Sequence, residues 1–441
     1  MSASVSLRYS IQPGGRLQGS VQVPGDKSIS HRAVMLAALA EGVTEITGFL
    51  TGEDCLCTMR AFQQMGVTIE RLAETHLRVT GVGLRGLKAP EAPLDLGNSG
   101  TSMRLMSGLL AAQGFPSTMT GDASLSRRPM ARVIEPLKRM GAQIESEPGG
   151  RAPLRVLPVA GLRGMEYASP VASAQVKSAL LLAGLYAQGR TVVTEPAASR
   201  DHTERMLRAF GVTVDVQAGF AALEGGQSLR ATSIQVPADI SSAAFFLVGA
   251  AIAPGSDITL TGVGLNPTRD GIVHVLRAMG ARIDVLNERQ AGGETLADLR
   301  VRGSVLHGID VDPALVPATI DEFPAVFVAA ACARGETRIT GAEELRVKES
   351  DRIATMCDGL RRLGVSAIAM ADGARILGGR LQGGVVDAHG DHRVAMSFAM
   401  AGLRAEQPIT ILDCANVNTS FPGFSALARQ TGLMLREQRD A

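Results

Sequence analysis

Internal repetition is the feature that most constrains the fold of this chain. The segment beginning at Val21, VQVPGDKSISHRAVMLAALAEGVTEITGFL, is echoed by the segment beginning at Ile234, IQVPADISSAAFFLVGAAIAPGSDITLTGV. Each copy continues to a helical pattern that ends in Met-Gly and then to a strand pattern, at Phe62–Glu70 and Val275–Asp284. Repetition at a fixed period indicates one structural unit used more than once. We therefore predict two halves of the same architecture.

Weaker echoes divide each half into three units, which makes six units in the whole chain. Further helices rich in small apolar residues are predicted at Ser102–Gln113, Ser173–Gln188, Phe323–Arg334 and His392–Arg404. Strand patterns follow them at Ser117–Thr120, Thr191–Thr194, Thr337–Thr340 and Ile409–Leu412. Amphipathic second helices ending in glycine are predicted at Pro129–Gly141, His202–Gly211, Asp351–Gly364 and Gly423–Gly432. Because a helix without a polar face is buried all round, we predict three such helices at the centre of each half, with short sheets outside.

Length and composition exclude several classes of function. A chain of 441 residues is too long for one typical core, so two domains are expected. A net charge of +1 and an aromatic content of 3% argue against nucleic-acid binding. The N-terminus has no signal-peptide pattern, and no uncharged apolar run reaches the roughly 18 residues of a membrane helix. We expect a cytoplasmic protein with reduced thiols at Cys55, Cys57, Cys332, Cys357 and Cys414.

Basic residues collect at the loops that open the predicted helices. In chain order they are Lys27, Arg32, Arg104, Arg127, Arg128, Lys177, Arg200, Arg269, Arg346, Lys348, Arg352 and Arg393. The free N–H groups and the dipole of a helix start already favour an anion there. In a nearly neutral chain, this shared position of the cations indicates a small polyanionic ligand.

Two carboxylates are candidates for acid–base chemistry. Asp321 begins a predicted buried helix, and Glu349 adjoins Lys348 within a basic loop. Each could equally be a helix cap or a salt-bridge partner. His389–His392 has no accompanying set of metal ligands, and the chain has neither a P-loop nor a strand–GxGxxG–helix pattern. We therefore expect neither a metal nor an organic cofactor.

Six motifs resemble, in order, those of the 5-enolpyruvylshikimate-3-phosphate synthase family. They are Pro-Gly-Asp-Lys-Ser, Gly-Asn-Ser-Gly-Thr, Arg-Arg-Pro-Met, Ser-Ala-Gln-Val-Lys, Arg-Val-Lys-Glu-Ser-Asp-Arg and Asp-His-Arg. The similarity covers Pro24 to Pro422 and points to the class II branch. It implies an α/β fold, namely the two-domain enolpyruvyl transferase fold or inside-out α/β barrel, with three βαβαββ-type units and buried central helices in each domain. The implied domains are 24–236, on the shikimate 3-phosphate side, and 1–23 with 237–441, on the acid/base and phosphoenolpyruvate side. The implied active site is the cleft between them.

The resemblance also implies an activity and site residues. The family adds the 5-hydroxyl of shikimate 3-phosphate to phosphoenolpyruvate and then eliminates phosphate. Shikimate 3-phosphate would contact Lys27, Ser28, Arg32, Ser173, Ala174, Gln175, Arg200, Asp321 and Lys348. Phosphoenolpyruvate would contact Lys27, Gly100, Arg128, Gln175, Arg352 and Arg393. Asp321, Glu349 and Lys27 would move the protons. A monomer inhibited by glyphosate, with no cofactor, no nucleic acid and no membrane partner, is the expectation.

Two departures and two rival functions accompany this resemblance. The chain has Asn418–Pro422 where many members carry a lysine before Thr-Phe-Pro, and Glu343–Leu345 where another branch has Asn-Trp. UDP-N-acetylglucosamine enolpyruvyl transferase shares the architecture but carries a cysteine in the loop before Arg128, which is absent here. A non-catalytic anion-binding repeat protein is the rival from another class.

Overall fold

The computed structural model describes Leu7–Arg439, which form two compact units. The N unit comprises Gly25–Val236 and Gln290–Glu294. The C unit comprises Pro237–Arg289 and the described parts of Met1–Pro24 and Thr295–Ala441. Each unit has its own core of buried Ala, Leu, Val, Ile and Met side chains. Within the described residues, none of the helices has the length and apolar character needed to cross a membrane.

The fourteen α-helices and twenty-four strands below are those of the described residues. The helices are α1 (Lys27–Leu39), α2 (Glu53–Gln64), α3 (Gly100–Leu110), α4 (Ala131–Arg139), α5 (Ala174–Gly184), α6 (His202–Ala209), α7 (Ile240–Ile252), α8 (Gly271–Ala278), α9 (Val316–Thr319), α10 (Phe323–Ala331), α11 (Arg352–Arg362), α12 (His392–Ala401), α13 (Val417–Ser420) and α14 (Phe424–Thr431). The strands are β1 (Leu7–Ile11), β2 (Gln18–Val21), β3 (Ala40–Thr47), β4 (Thr68–Ala73), β5 (His76–Val82), β6 (Leu94–Asp95), β7 (Ser117–Thr120), β8 (Gln143–Glu147), β9 (Arg151–Leu157), β10 (Glu166–Ala168), β11 (Arg190–Thr194), β12 (Asp215–Gln217), β13 (Phe220–Glu224), β14 (Leu229–Arg230), β15 (Ser233–Gln235), β16 (Asp257–Gly264), β17 (Arg282–Ala291), β18 (Glu294–Arg302), β19 (Glu336–Ile339), β20 (Ser366–Met370), β21 (Gly373–Leu377), β22 (Gly384–Asp387), β23 (Ile409–Leu412) and β24 (Leu435–Arg439).

Six small sheets follow one plan across the described chain. Their strand orders are β14–β3–β5–β4 with β15 also on β3, β6–β7–β9–β8, β10–β11–β13–β12, β17–β18–β16–β2, β19–β21–β20 and β22–β23–β1–β24. In five of them, a parallel pairing adjoins an antiparallel arrangement, as β6 does beside β7, and in the β3 sheet both β14 and β15 run parallel to β3. In the β19 sheet the parallel neighbour is reduced to isolated bridges such as Asp310 to Arg338. This regularity is the structural counterpart of the six sequence echoes.

The central helices confirm the predicted burial pattern. In the C unit, α7, α10 and α12 contact one another, and in the N unit α3 contacts both α1 and α5. Nearly every residue of α7 and α10 is buried, as their lack of a polar face predicts. The helices are shorter than predicted at their C-terminal ends: α5 ends at Gly184, because residues 185–189 turn back toward β11. The strands β7 and β23 occupy the predicted residues.

A glycine in the left-handed region follows each amphipathic second helix. The six are Gly66, Gly141, Gly211, Gly280, Gly364 and Gly432, with φ between +83° and +119°. Side chains with a Cβ rarely adopt this conformation, which is why glycine recurs there. The apolar residue that comes next is buried in every case, so the turn directs the chain back into the core.

Candidate active site

The start of α1 holds the first group of predicted binding residues. The Asp26 side chain caps the helix by accepting the Ile29 N–H at 2.8 Å. Lys27, the first helical residue, forms an ion pair with the buried Asp54 of α2 and keeps part of its side chain exposed. Ser28 is half-buried beside it. A cation and the first backbone N–H groups of a helix therefore meet at one place, where an anion is favoured.

Arg32 lies one turn further along α1 and is buried. Its guanidinium donates to the Ser28 carbonyl at 2.9 Å, to Thr203 Oγ1 at 2.6 Å and to Ser178 Oγ at 2.9 Å. These bonds join α1 to α5 and α6. The sequence pattern did not predict this structural use of the guanidinium.

The start of α3 brings together Gly100, Arg104 and the Gln175 side chain of α5. Arg104 Nη1 donates to Gln175 Oε1 at 2.6 Å, and Gln175 Nε2 donates to Thr101 Oγ1 at 3.0 Å. A Cβ on Gly100 would lie 2.9 Å from Arg104 Nη1 and 3.4 Å from Arg128 Nη1. Gly100 is thus closely faced by two guanidinium groups.

Arg128 is positioned by Asn98, in the loop that precedes α3, and by Ser124, in the segment that follows β7. Its Nη2 donates to Asn98 Oδ1 at 2.7 Å and to Ser124 Oγ at 3.3 Å. This arrangement gathers Arg128, Gly100 and Gln175, three of the residues predicted to contact phosphoenolpyruvate. Sequence reasoning missed Arg104 as the partner of Gln175, because nothing local links residues on two separate helices.

The start of α5 carries Ser173, Ala174 and Gln175. Ser173 is the helix cap, and its own N–H donates to Glu195 Oε1 at 2.7 Å. Arg200 is half-buried two residues before α6 begins. Lys177, which the sequence grouped with the anion-binding cations, is instead buried between Glu195 and Glu204.

A buried histidine lies beneath these loops. His31 Nδ1 is 2.8 Å from Thr58 Oγ1, and its Nε2 is 3.3 Å from Ser99 Oγ, the cap of α3. Ser102 Oγ completes the cluster, 2.6 Å from Thr58 Oγ1. Burial, reinforced by the charges of Lys27 and Arg32, holds the pKa of His31 well below its ordinary value of 6.5.

In the C unit, Asp321 is surrounded by three cations. Its Oδ1 is 3.6 Å from Lys348 Nζ and 3.6 Å from Arg352 Nη1, and its Oδ2 is 3.9 Å from Arg393 Nη2. Arg393 Nη1 also donates to the Asp321 carbonyl at 3.1 Å. The Asp321 side chain is 16% exposed, so it remains within reach of a ligand. Four predicted site residues therefore meet within the C unit.

Arg352 links this group to Glu349 and to a carboxylate outside the predicted set. It lies 2.7 Å from Glu349 Oε2 through Nη2 and 2.8 Å from Asp391 Oδ2 through Nε. Burial lowers the pKa of Arg352, but the charges of Asp391 and Glu349 outweigh it, so its pKa is raised. Burial raises the pKa of Asp391, but the charge and hydrogen bond of Arg352, together with the charge of His392, outweigh that effect and the pKa is lowered. Asp391 also caps α12, which explains its place in the Asp-His-Arg motif.

Glu322 is a second carboxylate that sequence reasoning missed. It is buried, accepts the Ser241 hydroxyl, and lies 3.8 Å from both Arg269 and Arg393. Arg269 Nη2 donates to Ser241 Oγ at 2.6 Å. Sequence analysis selected Asp321, the residue before Glu322, as the acid–base candidate. The basic loop ending at Arg269 could have indicated that a buried carboxylate such as Glu322 lies nearby.

The segments of the two departures from the family pattern make local hydrogen bonds. Thr419 Oγ1 donates to the Asn416 carbonyl at 2.7 Å, and Asn416 Nδ2 donates to the Gly390 carbonyl at 2.7 Å. In the Glu343–Leu345 segment, Glu344 Oε1 accepts from Lys348 Nζ at 3.0 Å. The segment therefore contacts a predicted binding residue through a carboxylate.

Comparison with known proteins gives a consistent result. A family model described as EPSP synthase (3-phosphoshikimate 1-carboxyvinyltransferase) matches residues 11–427. A 3-phosphoshikimate 1-carboxyvinyltransferase of Methylococcus capsulatus is 63% identical over 96% of this chain and 97% of its own length. One of Alkalilimnicola ehrlichii is 64% identical over 97% of this chain and 96% of its own length. The solved EPSP synthase of Acinetobacter baumannii is 53% identical, with a TM-score of 0.90, over 98% of this chain and 100% of that one.

Proposed function

The chain belongs to the EPSP synthase (3-phosphoshikimate 1-carboxyvinyltransferase) family, and we propose that the residue sets of its N and C units are its substrate-binding and acid–base groups. It is a transferase of the shikimate pathway, which leads to the aromatic amino acids. It moves the enolpyruvyl group of phosphoenolpyruvate to the 5-hydroxyl of shikimate 3-phosphate and releases phosphate. The inside-out α/β fold inferred from the motifs agrees with this membership.

The observation that carries the proposed residue roles is the set of cations around Asp321, with Glu349 on the same Arg352. Two anionic substrates repel each other, and fixed cations offset that repulsion while holding the reacting atoms together. Lys348 binds shikimate 3-phosphate, and Arg352 and Arg393 bind phosphoenolpyruvate. In the N unit, the proposed ligands of shikimate 3-phosphate are Lys27, Ser28, Arg32, Ser173, Ala174, Gln175 and Arg200, and those of phosphoenolpyruvate are Lys27, Gly100, Arg128 and Gln175.

The two steps of the reaction need a base and an acid. Asp321 takes the proton of the 5-hydroxyl as the oxygen adds to C2 of phosphoenolpyruvate. Glu349 or Lys27 gives a proton to the methylene carbon, forming a tetrahedral intermediate. Phosphate then leaves and the methyl proton is removed again, so the roles exchange in the elimination. Neither step consumes a redox equivalent.

The test is a comparison of neutral isosteres at these carboxylates. We expect Glu349→Gln and Asp321→Asn to bind both substrates but to lower kcat at least about 100-fold, the scale of a positioned acid or base. Glu344→Gln is the matched control, because Glu344 is a carboxylate of the same loop that contacts Lys348. Near-normal turnover of Glu349→Gln would remove it from the catalytic groups.

The acceptor is checked by phosphate release with two alternative substrates. We expect release with shikimate 3-phosphate and none with UDP-N-acetylglucosamine. The finer assignments belong to the same proposal: a cytoplasmic monomer, inhibited by glyphosate, with no nucleic-acid partner. Five free thiols support a reducing compartment.

A further inference from the structure

A buried ion cluster that the proposed chemistry does not use joins α5 to α6. Lys177 Nζ lies 3.1 Å from Glu195 Oε2 and 2.8 Å from Glu204 Oε1, and the three side chains are 6%, 0% and 2% exposed. Burial lowers the pKa of Lys177, but the charges of Glu204 and Glu195 outweigh it and the pKa is raised. Lys177 is therefore charged and is neutralised within the protein rather than by a ligand.

Glu195 connects this cluster to the proposed site for shikimate 3-phosphate. Its Oε1 accepts the Ser173 N–H at 2.7 Å, and its Oε2 accepts the Ser199 hydroxyl at 2.6 Å. Ser173 caps α5 and precedes Gln175, while Ser199 directly precedes Arg200. One carboxylate thus holds two segments that are distant in sequence and that both carry proposed ligands of the same substrate.

Lys177 keeps that carboxylate in place. Besides its two ion pairs, Nζ donates to the Ser199 carbonyl at 3.4 Å, so the loop is held through both its backbone and its Ser199 side chain. Hydrogen bonds to a charged acceptor are about twice as strong as neutral ones. A charged Glu195 is consequently a stiffer support than a neutral amide of the same shape.

We propose that Glu195, held by Lys177, is a positioning residue that presets Ser173 and Arg200 for shikimate 3-phosphate. This inference rests on the proposed assignment of Ser173 and Arg200 to that substrate. Glu195 takes no part in proton transfer. Glu195 affects the binding of shikimate 3-phosphate rather than that of phosphoenolpyruvate. The reason is that Gln175, a proposed ligand of phosphoenolpyruvate, is held separately by Arg104 and Thr101.

The experiment compares Glu195→Gln with Glu204→Gln. Both changes remove one negative charge that faces Lys177. Glu204, however, does not accept a hydrogen bond from Ser173 or Ser199. We expect Glu195→Gln to raise the KM and the calorimetric Kd for shikimate 3-phosphate about tenfold, the weakening expected for charged hydrogen bonds. The KM for phosphoenolpyruvate and kcat should change less than about twofold. Glu204→Gln should leave the constants for shikimate 3-phosphate unchanged.

Two further variants separate the possible failures. If Arg200→Met leaves the KM for shikimate 3-phosphate unchanged, the proposed site assignment fails whatever Glu195→Gln does. If Arg200→Met raises that KM but Glu195→Gln does not, or if Glu195→Gln raises both KM values equally, the positioning role is overturned. Equal effects of Glu195→Gln and Glu204→Gln overturn it too. Ser199→Ala removes a single hydroxyl and serves as the test even if Glu195→Gln does not fold. A rise in the KM for shikimate 3-phosphate, without a rise in the KM for phosphoenolpyruvate, supports the inference. An unchanged KM for shikimate 3-phosphate contradicts it.

Discussion

Gly100 is the residue at which an added methyl group should weaken the binding of glyphosate more than that of phosphoenolpyruvate. Its Cβ would lie 2.9 Å from Arg104 Nη1, closer than real Cβ contacts, so Arg104 must shift. That guanidinium donates to Gln175, and moving it narrows and distorts the proposed phosphoenolpyruvate site. The resemblance to this family implies that glyphosate competes with phosphoenolpyruvate. We predict that Gly100→Ala raises the inhibition constant of glyphosate about tenfold to a hundredfold, equivalent to about 1–3 kcal/mol of steric overlap, and raises the phosphoenolpyruvate KM less.

The control is a glycine where an added methyl has room. At Gly114, just beyond α3, a Cβ would meet nothing within 4 Å. Gly114→Ala should therefore leave both constants unchanged. Equal shifts of the two constants in Gly100→Ala, measured by steady-state kinetics, would show that Gly100 does not discriminate between the two anions.

His31 should make the stability of the N unit depend on pH. Its folded-state pKa lies well below 6.5, so in mild acid the unfolded chain binds a proton that the folded chain does not. Stability then rises with pH up to about 6.5 and is lost as pH falls below it, by at most about 1.4 kcal/mol per pH unit. We predict that His31→Asn is less stable at pH 7.5 but has a shallower decline between about pH 6.5 and 5.

Urea unfolding at several pH values measures this difference. The exposed His307 provides the matched control, because His307→Asn removes an imidazole without disturbing a buried cluster. If the free energy of unfolding of His31→Asn falls with pH as steeply as that of the parent protein, His31 is not the source of the pH dependence.

At the residue scale, the sequence indicated where cations lie but not what neutralises them. The position of Lys177 at a helix start suggested a ligand, yet Glu195 and Glu204 neutralise it from other segments. Lys348 and Arg393 follow the same local pattern and do lie beside Asp321. The difference depends on distant residues that approach only after folding, and no local spacing records it.

At the scale of elements, the glycine after each second helix is a point of predictable sensitivity. Gly141 has φ +104°, although a Cβ there would make only an ordinary contact with the Gly161 carbonyl oxygen at 3.5 Å. Gly141→Ala should therefore destabilise the protein through backbone strain, by about 1–2 kcal/mol. Gly161→Ala, whose Cβ meets nothing within 4 Å, should change the urea midpoint little. Equal midpoints for the two variants would contradict the strain argument.

Element type was predictable where composition and periodicity agreed. The central helices have no polar face, and the second helices end in Gly, so both were located from sequence. The pairing of strands was less accessible, because β14 and β15 join β3 from the far end of the N unit. A strand of two residues such as β6 is too short to show the alternation of a β-strand in sequence. It is defined only by its pairing with β7.

At the scale of the whole molecule, the first described strand completes the last repeat. β1 lies between β23 and β24, with Tyr9 opposite both Ile411 and Glu437. Leu7, Tyr9 and Ile11 are buried, and the Tyr9 ring stacks on Phe424 at 6.3 Å. β2 similarly pairs with β16. β1 and β2 therefore belong to sheets of the C unit. The predicted domains, 24–236 and 1–23 with 237–441, stay a prediction.

Removing β1 should therefore damage the C unit selectively. Without it, β23 and β24 lose their shared partner and the core loses three buried side chains, while the N unit keeps its own sheets and core. We predict that deletion of residues 1–12 speeds hydrogen exchange of the β23 and β24 amides at least about 100-fold, the effect of lowering their opening free energy by about 3 kcal/mol. The amides of α3 and α5 should keep their protection. A synthetic peptide of residues 1–15 should restore protection to β23 and β24, because it supplies the missing hydrogen bonds and apolar contacts. Equal loss of protection in both units, or none in β23, would show that β1 does not close the sixth repeat as argued.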